Sequence, residues 1–208
     1  RPLSVLYAAE NVPALINAWE PGQFGGQAIG EIIYGKVNPS AKLAMTMPRN
    51  VGQISTYYNH KKSAFFHPVV CGTSKPLYPF GFGLSYTTFA YSNLSLDKKT
   101  LKSGSNETVK ATITIQNTGK KDGVEICQLY INDVVASVAR PVKELKDFRR
   151  VALKAGEKKT ITFEIPQEKL AFYDKDMKYG VEPGMFEVQI GSSSDDGDLK
   201  KASFEVIE

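Results

Sequence analysis

Residues that bind metals or carry out nucleophilic catalysis are scarce in this chain, which has two cysteines and two histidines among 208 residues. Cys71 and Cys127 have no metal-ligand spacing, so we expect buried free thiols, with a disulfide as the less favoured alternative. His60 and His67 lie in an aromatic stretch with no acidic residue nearby, which argues against a metal pair and against a catalytic triad. The sequence therefore predicts neither a bound metal nor a cofactor.

Long apolar runs and a strong charge of one sign are also missing. The longest apolar runs are only a few residues, and the start at Arg1-Pro2-Leu3 does not resemble a secretory leader, although a cleaved leader would leave the same sequence. Net charge is +4, and the excess lies in residues 1–87, with seven Lys and Arg against three Asp and Glu. Residues 88–208 hold nineteen of each sign, interspersed, which argues against a nucleic-acid partner. We expect no membrane partner either.

The first part of the chain has the pattern of an α/β layer. Leu3–Tyr7 is a short apolar run that predicts a buried strand. Asn11-Val12-Pro13 predicts a helix start that leads through to Trp19, which we expect to pack in a core. A second helix is predicted from Gly25 to Tyr34, with Gly35 at its C-terminal end. A strand followed by helices is typical of α/β folds.

After residue 86 the hydrophobic period changes to two, which is typical of half-buried strands. Apolar residues alternate with polar ones from Val109 to Ile115, before a turn at Asn117-Thr118-Gly119. Further strands are predicted at 125–132, 159–165, 185–190 and 202–207. About seven short strands in about 120 residues predict an all-β immunoglobulin/fibronectin type III-like sandwich. We therefore predict two domains, an α/β remnant over residues 1–85 and the sandwich over residues 86–208.

The joint between these parts is the sequence Tyr78-Pro79-Phe80-Gly81-Phe82-Gly83-Leu84-Ser85-Tyr86-Thr87-Thr88-Phe89. Pro79 restricts the backbone around it, while Gly81 and Gly83 permit angles closed to other residues. Its aromatic side chains would be costly to leave in water. We expect a connector that packs against neighbouring structure rather than a free linker.

Separated motifs along the chain together resemble glycoside hydrolase family 3. They are the joint itself, Trp19-Glu20-Pro21-Gly22-Gln23, Gly25-Gly26, Asn38–Leu43, Thr46-Met47-Pro48-Arg49, Gly52-Gln53-Ile54, Tyr57-Tyr58-Asn59-His60-Lys61, Gly123–Tyr130, Ala136–Leu145, Val181-Glu182-Pro183-Gly184 and Ile190–Ser193. Each motif alone is weak, but their order matches the end of that family's α/β sandwich domain followed by its fibronectin type III-like domain.

The resemblance implies a retaining, exo-acting, β-glucosidase-like hydrolase of terminal β-linked sugars. Retention requires a carboxylate nucleophile and a carboxylic acid/base. In the family these lie on an N-terminal barrel and in the upstream α/β sandwich domain, so we expect no catalytic residue in this chain. Glu10, Glu20 and Glu31 match no catalytic motif. The implied partners are a β-glycoside substrate bound by the whole enzyme, the barrel and the other half of the sandwich domain. A periplasmic or secreted location is favoured over a cytoplasmic one.

An aromatic segment suggests a further role at the rim of a substrate site, because aromatic rings stack on sugars. Its candidates are Tyr57, Tyr58, His60, Phe65 and Phe66, although packing against the barrel is favoured. The alternative function is an autonomous carbohydrate- or protein-binding β-sandwich module, which should expose a row of aromatics. The sandwich aromatics are expected to point mostly inward, which favours a bracing role; they are Tyr130, Phe148, Phe163, Phe172, Tyr173, Tyr179 and Phe186.

Overall fold

The computed structural model describes residues 2–53, 56–62 and 73–208. Within these residues two helices precede the joint, α1 (Leu6–Asn11) and α2 (Gly25–Ile33). Ten strands follow: β1 (Phe89–Leu96), β2 (Thr100–Lys102), β3 (Thr108–Asn117), β4 (Gly123–Asp133), β5 (Glu144–Leu153), β6 (Lys158–Pro166), β7 (Phe172–Tyr173), β8 (Tyr179–Gly180), β9 (Gly184–Gly191) and β10 (Leu199–Ile207). Single 3₁₀ turns lie at Gln167–Lys169 and Asp196–Asp198.

The strands after the joint form a β-sandwich. One sheet has the order β1-β3-β6, the other has the order β2-β10-β9-β4-β5, and β7 pairs with β8 as a small hairpin. The pairs are antiparallel except β2 with β10, which is parallel. The inward faces bury aliphatic and aromatic side chains between the sheets, among them Ile113, Leu129, Phe163 and Val188. This sandwich is the predicted architecture, and it is confirmed.

The five strands predicted from alternation are confirmed as β3, β4, β6, β9 and β10. The sequence pattern does not predict the other five strands, β1, β2, β5, β7 and β8, individually. β5 carries charged residues at five of its ten positions and forms the edge of its sheet, and only Val151 and Leu153 are buried. Charged edge strands are a common defence against unwanted strand pairing, and they obscure the alternating signal.

The part before the joint agrees with its sequence pattern only at α2. That helix ends as predicted, since Gly35 has a φ of +70° and its N–H donates to the Ile32 carbonyl at 2.9 Å. The strand predicted for Leu3–Tyr7 is wrong, because α1 begins at Leu6 and Tyr7 is 80% exposed. A strand needs a neighbour that accepts its hydrogen bonds, and no described strand lies beside this segment.

The helix predicted from Asn11 to Trp19 is also absent, since Asn11 is the last residue of α1 and the backbone beyond it is irregular. The Asn17 side chain accepts from the Trp19 N–H at 3.2 Å, a local bond that competes with helix formation. Trp19 has a φ of +49° and a half-exposed ring, so the expected core position is not observed. Short helices need an apolar face to pack on, and Ile16 remains exposed.

Among the described residues, neither helix is long and apolar enough to cross a membrane. Cys127 is a free, fully buried thiol in β4, as expected. Its burial raises its pKa, which keeps the thiol protonated and unreactive. Cys71 and His67 lie outside the described residues.

Candidate functional site

The joint is packed between the N-terminal part and the five-stranded sheet, as its composition predicts. The Gly81 N–H donates to the Leu43 carbonyl at 2.8 Å, and the Leu43 N–H donates to the Phe82 carbonyl at 2.8 Å. Gly81 has a φ of +78°, a region that favours glycine. A Cβ added at Gly83 would lie 2.4 Å from the carbonyl oxygen of Ala41. Both glycines are thus required by the geometry, one by its backbone angle and the other by close approach.

Gln128 of β4 ties the joint to the sandwich through its buried amide. Its Nε2 donates to the Gly81 carbonyl at 3.1 Å and to the Ser192 carbonyl at 2.6 Å. Its Oε1 accepts from the Tyr130 hydroxyl at 2.5 Å. Because the buried amide of Gln128 bonds to all three groups, it holds the joint in place against β4 and the end of β9.

A buried ion pair crosses the same joint. The Lys42 ammonium lies 3.2 Å from Glu125 Oε1, and the Tyr91 hydroxyl donates to the same carboxylate at 2.9 Å. The side chain of Glu125 is 4% exposed, and burial raises its pKa because desolvation outweighs the stabilisation by Lys42 and Tyr91. Separation of Lys42 from the sheet would leave this buried carboxylate without its cation, which is costly.

The predicted rim residues fall into separate environments. Tyr58 is packed into the joint, where its ring stacks on Phe80 at 4.3 Å and meets Tyr130 edge-on at 5.7 Å. Tyr57 remains 47% exposed, and the His60 backbone carbonyl accepts from the Val142 N–H at 2.9 Å. Phe65 and Phe66 lie outside the described residues. Of the described candidates, Tyr58 thus packs within the joint, while Tyr57 is half exposed to solvent.

The three N-terminal glutamates lie in α1, in α2 and in the chain between them. Glu10 lies in the short helix α1, and Glu20 lies in the irregular chain before α2. Glu31 accepts from Gln27 at 3.1 Å and from Lys36 at 2.9 Å, and these bonds lower its pKa. Glu31 thus lies on the surface of α2 and bonds to neighbouring residues, as its helical position predicts.

Sequence reasoning missed a set of buried charges at the far end of β4. Asp133 is buried, and desolvation raises its pKa to about 6, with Arg140 opposing the shift. Arg140 stacks over the Phe172 ring at 4.5 Å and pairs with Glu144 at 2.6 Å. Lys143 is also buried and donates to the Ser194 carbonyl at 2.9 Å. Hydrophobic alternation does not mark them, because Asp133 is the last residue of β4 and Arg140 and Lys143 lie in the connection between β4 and β5.

A large apolar surface stays uncovered on the N-terminal part. Exposed large side chains are concentrated in residues 3–51; they are Leu3, Tyr7, Val12, Leu15, Ile16, Trp19, Phe24, Ile33, Tyr34, Val37, Met45 and Val51. Such a concentration of exposed apolar side chains in one part of the chain indicates an interaction surface. Among the described residues, no group of three His, Cys, Asp or Glu is arranged to hold a metal ion.

Comparison with known proteins agrees with these features. Residues 1–86 match the glycosyl hydrolase family 3 C-terminal domain, and residues 125–194 match the fibronectin type III-like domain. The chain is 41% identical to a periplasmic beta-glucosidase of Salmonella typhimurium over 100% of this chain and 28% of that protein. It is 42% identical to a beta-xylosidase of Formosa agariphila over 99% of this chain and 29% of that protein.

Solved structures give the same result. A beta-glucosidase from Listeria innocua, crystallised with glucose, superimposes with a TM-score of 0.91 at 39% identity, over 100% of this chain and 30% of that one. A b-glucosidase from Erythrobacter marinus gives 0.93 at 41% identity, over 100% and 27%. The chain thus spans less than a third of the length of these relatives. It belongs to glycoside hydrolase family 3 and corresponds to the C-terminal part of its members, the end of the C-terminal domain followed by the fibronectin type III-like domain.

Proposed function

We propose that this chain is the non-catalytic C-terminal part of a retaining, exo-acting β-glycosidase that hydrolyses terminal β-linked sugars. The supporting observation is the uncovered apolar surface on residues 3–51, joined to the sandwich through buried contacts. Such a surface fits a partial α/β layer that is completed by the rest of the enzyme. The sandwich braces this layer, with a boundary at about residue 86.

Relatives named as a beta-glucosidase and a beta-xylosidase both support a β-linked substrate. The Salmonella relative is named as periplasmic, which supports a periplasmic or secreted location. The partners of this chain would be the barrel and the upstream half of the α/β sandwich domain. Within this proposal, Tyr57 and His60 remain candidates for the substrate rim, while Tyr58 serves as their anchor.

The test is reconstitution with the upstream part of the Salmonella beta-glucosidase, either mixed with this chain or fused to it. The chain alone should not hydrolyse an aryl β-glucoside, since a retaining glycosidase needs both carboxylates. The reconstituted protein should hydrolyse it. Turnover by the purified chain alone, abolished by changing Glu10, Glu20 or Glu31, would contradict the proposal.

A matched pair of variants tests the docking surface. Ile16 and Ile207 are similarly exposed, but Ile16 lies on the uncovered surface and Ile207 lies at the end of β10. Ile16→Asp should weaken reconstitution because it places a charge in the new interface, while Ile207→Asp should leave it unchanged. Equal effects of the two variants would show that this surface does not dock the upstream part.

A second candidate function, carbohydrate binding by the sandwich itself, is supported by three exposed aromatic residues. Four of the seven aromatics expected inside are buried, but Phe148, Tyr173 and Tyr179 are each 58% exposed. Tyr173 and Tyr179 face each other across the β7–β8 hairpin with ring centroids 5.0 Å apart. Affinity electrophoresis of the chain in a soluble β-glucan would detect binding. Retardation that is lost in Tyr173→Ala would support a carbohydrate-binding role, and unretarded migration would exclude it for that glycan.

A further inference from the structure

The connection between β4 and β5, residues 134–143, holds the aromatic segment at residues 56–62 against the sandwich. Lys61 and Pro141 form an antiparallel bridge, and the Val142 N–H donates to the His60 carbonyl at 2.9 Å. The Lys62 ammonium donates to the Val134 carbonyl at 2.8 Å. The segment is therefore fixed by main-chain contacts to the sandwich and not only by its own part of the chain.

This connection is itself held rigidly. Arg140 lies over the Phe172 ring and pairs with Glu144, and Lys143 donates to the Ser194 carbonyl and to Asp196 at 2.9 Å. These contacts anchor the C-terminal half of the connection to the sandwich. A binding residue needs such support, because small displacements weaken contacts with a ligand.

Within the held segment, neighbouring tyrosines have different roles. Tyr58 is the anchor, since its ring lies between Phe80 and Tyr130 and its hydroxyl accepts from the Leu145 N–H at 3.3 Å. Tyr57 precedes it and keeps about half of its side chain exposed. Because the anchor fixes the backbone beside it, Tyr57 loses less conformational freedom when its exposed ring meets a ligand.

We propose that the β4–β5 connection is a positioning element that presents Tyr57 to the leaving sugar of a β-linked disaccharide. This inference rests on the proposed function, because it requires a β-glycoside in the assembled enzyme. Tyr57 would contact the leaving sugar. The Val142 N–H would help to position Tyr57, because it binds the His60 carbonyl in the same segment. The fibronectin type III-like domain would then contribute to substrate preference as well as to stability.

The experiment uses fusions of this chain to the upstream parts of the Salmonella and the Listeria beta-glucosidases. Val142→Pro removes the N–H that binds His60, while Val142→Ala shortens the same side chain and keeps the donor, so the two form a matched pair. Each variant is assayed with a β-linked disaccharide and with β-glucosyl fluoride, which has no leaving sugar. Tyr57→Ala is assayed in parallel.

Val142→Pro and Tyr57→Ala should raise KM for the disaccharide about five- to tenfold, as for one lost contact of about 1–1.4 kcal/mol. The kinetics with β-glucosyl fluoride should change less than about twofold, and Val142→Ala should resemble the unmodified fusion. Hydrogen exchange at residues 57–62 should be faster in Val142→Pro, which verifies that the segment is released.

Equal losses with both substrates, or no change with either, would overturn the positioning role even if the segment is released. A general structural defect would lower kcat with both substrates and so would not imitate the expected result. If neither fusion hydrolyses any β-glycoside, the proposed function fails, and the positioning role falls with it. Hydrolysis that does not respond to Val142→Pro contradicts the positioning role alone.

Discussion

Gly81 provides a sharp test of how tightly the joint is packed. In Gly81→Ala, the new Cβ would lie 2.0 Å from Gln128 Oε1, and the backbone would keep a φ of +78°. The left-handed angle costs about 1 kcal/mol for a residue other than glycine. The end of a glutamine side chain can usually move away, but Gln128 is buried and holds three hydrogen bonds in the joint.

Moving Gln128 would leave the Tyr130 hydroxyl and two carbonyl groups without their partner. A net loss of about 1 kcal/mol for each hydrogen bond gives a further cost of about 2–4 kcal/mol. Gly81→Ala should therefore lower the free energy of unfolding by about 3–5 kcal/mol. The measurement is urea denaturation of the 208-residue chain, followed by circular dichroism and by fluorescence.

Gly156 supplies a matched control, because it has the same φ of +78° and no heavy atom within 4 Å of an added Cβ. Gly156→Ala should cost only about 1 kcal/mol, the strain of the backbone angle alone. A loss in Gly81→Ala no larger than that of the control would refute the packed joint. In that case the connector would undock to accommodate the methyl group. The double variant Gly81→Ala/Gln128→Ala should lose less than the sum of the single variants, because the clash is shared.

The remaining predictions concern charge and domain independence. Lys42→Met should destabilise the chain by about 3–5 kcal/mol at neutral pH, and by less at low pH, where Glu125 is protonated. Urea denaturation at several pH values measures this loss. A loss that does not depend on pH would contradict the prediction. Asp133 has a folded pKa of about 6 against an ordinary 3.8, so its contribution to stability falls as pH rises from about 4 to about 6. Asp133→Asn should flatten that fall and raise the free energy of unfolding at pH 7 by about 1–3 kcal/mol. A variant that is less stable at pH 7 than the unmodified chain would refute this prediction. Residues 88–208 alone should melt cooperatively, because both sheets and their core lie within them, and a broad non-cooperative transition by calorimetry would place the boundary elsewhere.

The sandwich could be predicted because its sequence signal is local. Val109, Ala111, Ile113 and Ile115 alternate with polar residues, and the same residues lie fully buried on one face of β3. A period of two depends only on each strand having one wet and one dry side. The buried charges of the β4–β5 connection carry no such period, so the support for the aromatic segment became visible only in the structure.

The rim residues show a second limit of sequence reasoning. Tyr57 and Tyr58 are identical neighbours, and composition treats them alike. The structure separates them by placing Phe80 and Tyr130 around Tyr58, and those partners come from the joint and from β4. Long-range contacts of this kind decide which aromatic ring anchors a segment and which one remains free to meet a ligand.

The N-terminal part differs from the sandwich for a thermodynamic reason. An apolar run such as Leu3–Tyr7 predicts a strand only on the assumption that other strands flank it. Without such neighbours, the local helical alternative α1 satisfies the backbone hydrogen bonds, even though it leaves Tyr7 in water. The apolar run thus forms part of a short helix, and a sheet strand at this position would require flanking strands. Burial of side chains such as Tyr7 would be the driving force for such pairing.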